Sequence, residues 1–261
     1  MRLREARRVE IVAKRRFGKV VELEFEAEVP LGGDPGQFVH VRCERWGLVL
    51  RRPYSLSGSR EKRASILVRD VGAGSAWLCE AEVGQTLDIM GPLGRGFAAG
   101  TGGGHVMVAG GTGLAPLAFL ASRLKERGHE ATLFWGIERE ADYGGLAGEL
   151  SKEYDLRLAT MAGDAGTGGR VLDILSPDDI TDAGSLYGCG PMAMLAALAA
   201  RCTGDILDRL QVCVEERMAC GIGACRGCAV PSVDPDGGYL AACRDGPVFE
   251  GRELDWKRLQ E

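Results

Sequence analysis

The sequence lacks several features that mark common classes of protein. Among its 261 residues it has only three histidines and 6% aromatic residues. Its longest apolar run, VMVAGGTGLAPLAFLA, is interrupted by three glycines and a proline, which excludes a membrane helix there. No apolar region follows the basic N-terminus, so we expect no signal peptide. His40, His105 and His129 are isolated in the sequence, and no group of residues is typical of acid–base or nucleophilic catalysis.

The charge balance argues against nucleic acid as a partner. The chain has 32 Lys and Arg against 37 Asp and Glu, a formal net charge of −5, whereas binding to phosphates favours a basic surface. We expect neither a nucleic-acid nor a membrane partner. The length and the 45% hydrophobic content predict two domains, or two domains and a small appendage.

The cysteines give the first specific signal. There are nine, and an odd number without an export signal predicts a reducing compartment, the cytoplasm. Four lie in one pattern near the C-terminus, and the other five are scattered: Cys43, Cys79, Cys189, Cys202 and Cys213.

The pattern of hydrophobic residues predicts a fold of the β plus α/β class in three sections. Residues 1–100 contain six short strands separated by glycine turns, which predicts an antiparallel β-barrel with one short helix, SAWLCEAE. Residues 101–205 alternate strands such as HVMVA and ATLFWG with helices such as LAGELSKEY and VLDIL, which predicts a parallel sheet covered on both faces. Residues 206–261 are too few to bury their own core without a metal or disulfide.

The four clustered cysteines have the spacing Cys220-x4-Cys225-x2-Cys228-x14-Cys243. This is the plant-type ferredoxin pattern for a [2Fe–2S] cluster, and the glycines between the cysteines permit the tight loop that such a site needs. A four-cysteine zinc knuckle and unrelated buried thiols are the alternatives. The insert SVDPDGG before the fourth cysteine predicts a hairpin tip.

Two glycine elements predict a nucleotide site in the middle section. AGGTGLAP follows a predicted strand and opens a helix, which suits a pyrophosphate, although a simple tight turn would explain it as well. YGCGPM ends the last predicted strand of the sheet, and ligands of such sheets lie beyond the carboxyl ends of the strands. The acidic segment EREAD, residues 138–142, favours NADH over NADPH, with loop solubility as the alternative.

RRPYS, residues 51–55, suggests a flavin site in the barrel. An arginine can neutralise a phosphate, an aromatic ring can cover a flavin, and a hydroxyl can bond its reactive edge. RDVGAGS, residues 69–75, precedes a short helix and is a second possible phosphate site. A strand with an exposed basic tip is the alternative.

Together these motifs resemble a known family. A barrel with R-x-Y-S, followed by G-x-G-x-x-P and C-G-P in a nucleotide domain, resembles the ferredoxin–NADP reductase superfamily. The segments GPLGRGF, EERMACGIGACRGC and CRDGPVF resemble the electron-transfer subunits of class 1B, NAD-dependent, dihydroorotate dehydrogenase.

The resemblance implies FAD, a [2Fe–2S] cluster and NAD as cofactors. It implies FAD contacts from the barrel at Arg52, Pro53, Tyr54, Ser55, Leu67, Val68, Arg69, Gly74 and Ser75. It implies nucleotide contacts at Gly110, Gly111, Thr112, Gly113, Cys189, Gly190, Pro191 and Met192. It implies that the cluster ligands are Cys220, Cys225, Cys228 and Cys243.

The resemblance also implies a partner, an FMN-containing dihydroorotate dehydrogenase catalytic subunit in a heterotetramer of two catalytic and two electron-transfer subunits. Electrons would run from FMN through the cluster and FAD to NAD⁺, in pyrimidine biosynthesis. Similar subunits serve sulfite reductases, hydrogenases and transhydrogenases. A free-standing NADH:acceptor reductase, a redox sensor and a zinc-binding interaction module are the other readings.

Overall fold

The computed structural model describes residues 6–44, 47–100, 103–234 and 238–260. The N-terminal section forms strands β1 (Ala6–Phe17), β2 (Val20–Glu26), β3 (Phe38–Arg42), β4 (Arg52–Arg60), β5 (Arg63–Arg69) and β6 (Thr86–Leu93), with helix α1 (Ala73–Glu80) between β5 and β6. They close an antiparallel barrel in the order β1-β2-β5-β4-β3-β6. The predicted six-stranded barrel is confirmed. The fourth strand begins at Arg52, later than the segment LVLRRPYSL predicts.

Side chains that alternate along strands such as β2 fill the barrel. In β2, Val21, Leu23 and Phe25 are fully buried, whereas Glu22 and Glu24 between them are partly exposed. β3 departs from this rule, because Phe38 and His40 on its outer face are also buried. Another part of the chain therefore covers the outside of the barrel at β3.

The rest of the chain builds a second sheet and a small hairpin. Its strands are β7 (Gly104–Gly110), β8 (Ala131–Ile137), β9 (Asp155–Thr160), β10 (Thr167–Gly168), β11 (Ala183–Gly190), β12 (Leu210–Val214), β13 (Ala229–Pro231), β14 (Tyr239–Ala241) and β15 (Val248–Glu250). Its helices are α2 (Leu114–Glu126), α3 (Leu146–Leu150), α4 (Pro177–Thr181), α5 (Met192–Arg201) and α6 (Asp205–Asp208). Within the described ranges, no helix combines the length and apolarity of a membrane crossing.

The second sheet has seven strands in the order β10-β9-β8-β7-β11-β12-β15. All neighbours pair in parallel except β15, which runs antiparallel to β12. The predicted parallel sheet with helices is confirmed. Two predicted helices are shorter than expected: LAGELSKEY is helical only over Leu146–Leu150, because the chain must turn to begin β9 at Asp155, and VLDIL gives a single 3₁₀ turn, Val171–Asp173.

The C-terminal section shares its core with the rest of the molecule. β12 and β15 extend the middle sheet, and β13 pairs with β14 in an antiparallel hairpin whose predicted tip, at 235–237, lies outside the described residues. Cys228, Cys243 and Phe249 are buried in one group with Phe38 of the barrel. The C-terminal residues of this group form the cover over the outer face of β3. The boundaries at residues 100 and 205 stay predictions.

Candidate cofactor sites

A cavity of about 670 Å³ lies where the barrel, the parallel sheet and the segment after β12 meet. Eight of the nine residues predicted to contact FAD line it, namely Arg52, Pro53, Tyr54, Ser55, Leu67, Arg69, Gly74 and Ser75. The ninth, Val68, points into the barrel core and is fully buried. Strand alternation explains this, because Leu67 and Arg69 lie on the opposite face of β5 from Val68. The flavin motif and the cavity therefore coincide.

Arg52 and Tyr54 bring different chemistry to this cavity. Nη1 of Arg52 donates to the carbonyl oxygen of Leu50 at 2.7 Å, and because a guanidinium has five N–H donors, others can bind a phosphate. Burial, assisted by the thiols of Cys43 and Cys79, raises the pKa of Tyr54, so its hydroxyl is neutral at pH 7. The motif thus offers one fixed positive charge beside a neutral aromatic ring.

The N-terminus of α1 forms another wall of the cavity, lined by residues 71–75. Oγ of Ser75 donates to the carbonyl oxygen of Gly72 at 2.9 Å and accepts the N–H of Val71 at 2.9 Å, which fixes the turn into the helix. The first N–H groups of a helix have no partners within it and favour anions. This wall and Arg52 together suit the pyrophosphate of a dinucleotide.

Arg69 links the cavity to the acidic loop of the second sheet. Its Nη2 lies 3.5 Å from Oδ2 of Asp142, whose Oδ1 lies 2.8 Å from Nζ of Lys19. Glu140 is also engaged, since its Oε1 accepts the N–H of Gly145 at 2.7 Å. Two of the three acidic residues in EREAD therefore have structural roles. Glu140 fixes the loop itself, and Asp142 pairs with Lys19 and Arg69 of the barrel. Of the three acidic residues, only Glu138 remains to favour NADH over NADPH. The loop is therefore weaker evidence for NADH than the sequence suggests.

The two glycine elements of the predicted nucleotide site meet at the carboxyl ends of β7 and β11. β7 ends at Gly110, β11 ends at Gly190, and these strands are neighbours in the sheet. A Cβ on Gly113 would lie 2.3 Å from the carbonyl oxygen of Cys189, and one on Gly110 would lie 2.7 Å from Cδ of Pro191. Only glycine permits this approach. Thr112, between them, also lines the cavity, so the two predicted sites are contiguous.

The segment after β12 contributes residues that the sequence analysis missed. Val214, Glu215, Glu216 and Met218 line the cavity opposite the barrel residues. The Glu215 side chain is accessible from within the open cavity, yet protein surrounds it on most sides, and this burial raises its pKa. In the sequence Glu215 directly follows the short apolar run LQVCV, but only the fold shows that this strand pairs with the strand of Cys189.

The histidines are less isolated than the sequence suggests. The rings of His105 and His129 lie 5.3 Å apart, edge to face, at the amino end of the parallel sheet and away from the cavity. His40 is fully buried on β3. Burial, with Arg51 and Arg52 adding to it, lowers the pKa of His40 to about 4, so its ring is neutral at pH 7.

Backbone N–H groups converge on the sulfurs of the four clustered cysteines. Sγ of Cys228 lies 3.2 Å from Sγ of Cys243. Five N–H···S contacts surround the thiols: Ile222 and Cys225 to Cys220 at 3.5 and 3.4 Å, Gly223 to Cys243 at 3.0 Å, Gly227 to Cys225 at 3.5 Å, and Cys243 to Cys228 at 3.4 Å. N–H donors aimed at sulfur stabilise the negative charge of a thiolate-held cluster. The donor set therefore fits a [2Fe–2S] cluster.

The four thiols differ in exposure. Cys225 is exposed, Cys220 is partly exposed, and Cys228 and Cys243 are buried. Although burial alone would raise it, the N–H groups of Cys225 and Ile222 lower the pKa of Cys220 to about 6, which favours the thiolate that metals require. In the described part of the chain, no three Cys, His, Asp or Glu side chains form a site for a single metal ion. The cysteine loop therefore has an open edge at Cys225, which is exposed to solvent. Its other edge, at Cys228 and Cys243, is buried toward the barrel.

Two family models match the chain. The model for the iron-sulfur cluster binding domain of dihydroorotate dehydrogenase B matches residues 215–255, which include all four cysteines. The model for the oxidoreductase NAD-binding domain matches residues 107–200, which include both glycine loops. The matched segments agree with the sites described above.

Known proteins and structures extend the similarity over most of the chain. The dihydroorotate dehydrogenase B (NAD(+)) electron transfer subunit of Bacillus caldolyticus is 37% identical over 84% of this chain and 86% of that protein. The subunit of the same name from Listeria monocytogenes is 35% identical over 90% of this chain and 93% of that protein. A solved chain from an NADH-dependent reduced ferredoxin-NADP oxidoreductase is 27% identical, with a TM-score of 0.83, over 97% of this chain and 91% of that one. This protein thus belongs to the family of dihydroorotate dehydrogenase B electron transfer subunits.

Proposed function

We propose that this protein is the electron-transfer subunit of an NAD-dependent dihydroorotate dehydrogenase and works in pyrimidine biosynthesis. The observation that carries the proposal is the cysteine loop, which shares one chain with the cavity and the two glycine loops. The relatives from Bacillus caldolyticus and Listeria monocytogenes support the choice of partner reaction.

The cofactors of this chain are FAD, a [2Fe–2S] cluster and NAD. When bound, the flavin exchanges a hydride with NAD and single electrons with the cluster, which joins a two-electron carrier to a one-electron carrier. The chain is an oxidoreductase subunit whose residues hold and orient these groups. We place the oxidation of dihydroorotate on a separate subunit.

We assign the FAD to the cavity. Arg52 would neutralise its pyrophosphate together with the N-terminus of α1, at Gly74 and Ser75. The ring of Tyr54 would cover the flavin, and the hydroxyl of Ser55 would bond its reactive edge. The backbone of β5 beside Leu67 would complete the wall.

We assign the nicotinamide nucleotide to the loops of residues 110–113 and 189–192. Their close contact, set by Gly113 against Cys189, creates one binding surface beyond the carboxyl ends of β7 and β11. Thr112 belongs both to this surface and to the wall of the cavity, so a nucleotide bound there would lie next to the flavin.

We propose an FMN-containing dihydroorotate dehydrogenase catalytic subunit as the partner, in a cytoplasmic heterotetramer of two catalytic and two electron-transfer subunits. The open edge of the cysteine loop would be the docking surface, because electrons leave by the shortest path to a partner. Cys225 is exposed there, and Ile222 beside it is 43% exposed. Tyr239 on β14 is 50% exposed, and its carbonyl oxygen lies 3.4 Å from Nη2 of Arg226 in the cysteine loop, so it extends this surface.

Coexpression with the catalytic subunit from the same organism tests the proposal. We expect dihydroorotate-dependent reduction of NAD⁺, followed by near-ultraviolet absorbance, only when both subunits are present. Each subunit alone is the control. A coloured preparation that NADH bleaches, but that never couples to the catalytic subunit, would overturn the choice of partner. It would favour a partner like that of the NADH-dependent reduced ferredoxin-NADP oxidoreductase, whose chain has the same fold.

A further inference from the structure

His40 lies on the face of β3 that the C-terminal section covers. Val39 and Val41, its neighbours along the strand, point into the barrel and are fully buried. His40 therefore points away from the barrel core. Its side chain is nonetheless 0% exposed, which places the imidazole inside the joint between the barrel and its cover.

The cysteine loop is the part of the cover that touches this ring. A Cβ on Gly221 would lie 2.5 Å from Nδ1 of His40 and 2.9 Å from Cε1. Gly221 has a φ of +70°, a conformation that side chains other than glycine rarely adopt. The imidazole thus packs directly on the backbone of the residue that follows the first cysteine ligand.

Neither ring nitrogen of His40 has a hydrogen-bond partner among the residues that the structure describes. The nearby guanidinium of Arg51 is already held by Asp88, with Nη2 2.9 Å from Oδ1 and Nη1 2.9 Å from the carbonyl oxygen. It reaches only the backbone oxygen of His40, at 3.5 Å. Buried polar groups are almost always hydrogen-bonded. We therefore expect a ring nitrogen of His40 to form a hydrogen bond to a group that the protein itself does not supply.

We propose that His40 is a positioning residue for the [2Fe–2S] cluster, and that its ring N–H donates a hydrogen bond to a sulfur of the loaded site. The inference rests on the cluster assigned in the proposed function. A neutral imidazole has one N–H, and sulfur that holds negative charge accepts it. Such a bond stabilises the reduced, more negative state, so His40 raises the reduction potential of the cluster.

The position of His40 also connects the two redox sites. The ring of Phe38 lies 6.1 Å from that of His40, edge to face, and Phe38 lines the cavity assigned to FAD. His40 contacts the cysteine loop on the other side. His40 therefore lies between the cavity assigned to FAD and the cysteine loop, so a substitution there changes the interface between them.

The test is an EPR-monitored redox titration of the holoprotein carrying His40→Phe. At a fixed potential we expect the ratio of reduced to oxidised cluster to fall roughly tenfold relative to the unmodified protein, a downward shift of about 59 mV for one electron. His40→Gln retains an N–H donor and should recover part of the shift. His105→Phe, at the far end of the parallel sheet, is the matched control and should leave the potential unchanged.

A second readout detects the histidine contact directly, by spectroscopy. Selective ¹⁵N labelling of histidine, with pulsed EPR on the reduced cluster, should show a hyperfine coupling that His40→Phe removes and His105→Phe retains. If the cluster is loaded but shows no histidine coupling, and its potential is unchanged in the His40→Phe variant, the proposed role of His40 is wrong. The cluster assignment would then still stand. An unmodified protein with no [2Fe–2S] signal would overturn the cluster assignment as well.

Discussion

Replacing Cys225 with serine is expected to abolish electron transfer to the partner while NADH still reduces artificial acceptors through FAD. Serine is a poor ligand for iron, so the cluster is lost or unstable and coupled activity falls by roughly 100-fold or more. Cys225 is on the exposed edge of the loop and lines neither the cavity nor the glycine loops, so FAD and NADH binding should persist. Coupled activity, diaphorase activity and iron content are the measurements.

Cys202→Ser is the matched control for this prediction. Sγ of Cys202 donates to the carbonyl oxygen of Leu198 at 3.3 Å, and a serine hydroxyl can make the same bond. Iron content and coupled activity should then remain those of the unmodified protein. Full coupling by the Cys225→Ser variant would refute the electron path through the cysteine loop.

Replacing Gly113 with alanine is expected to remove NADH-linked activity while both FAD and the cluster stay bound. The new Cβ would lie 2.3 Å from the carbonyl oxygen of Cys189, so the two nucleotide loops must separate. A displacement of about 1 Å at a site that positions reacting groups can cost roughly 100-fold in rate. We expect a loss of this size in kcat/KM for NADH, with the visible spectrum unchanged.

Gly148→Ala tests whether the effect is specific to the loop contact. Gly148 lies in α3, and a Cβ there would meet nothing within 4 Å. Alanine is the better helix former, so stability should be unchanged or slightly higher. Equal losses of NADH activity in both variants, or none in the Gly113→Ala variant, would contradict a nucleotide site between these loops.

The parts of the fold that depend on local pattern could be predicted from the sequence. The strands of the barrel follow from period-two alternation, as in β2 with its buried Val21, Leu23 and Phe25. The cysteine loop follows from ligand spacing over a short stretch, where chain geometry leaves few alternatives. The glycine loops could be placed because each directly follows a buried strand.

The parts that depend on tertiary packing could not be predicted. The β12 segment joins the middle sheet and carries Glu215 into the cavity, although the sequence divides it from that sheet. Asp142 in the acidic loop pairs with Lys19 of the barrel, a contact between residues far apart in the chain. His40 sits in a strand whose pattern alone gives no reason to bury it. In each case a distant segment supplies the environment.

We infer one electron path within this chain, which runs between NAD and the cluster through a flavin. The most direct measurement is an anaerobic titration of the isolated holoprotein with NADH, with the flavin followed by absorbance and the cluster by EPR. We expect NADH to reduce the flavin and then the cluster of the same molecule. If NADH reduces the flavin but leaves the cluster oxidised, while dithionite reduces both, this electron path is wrong.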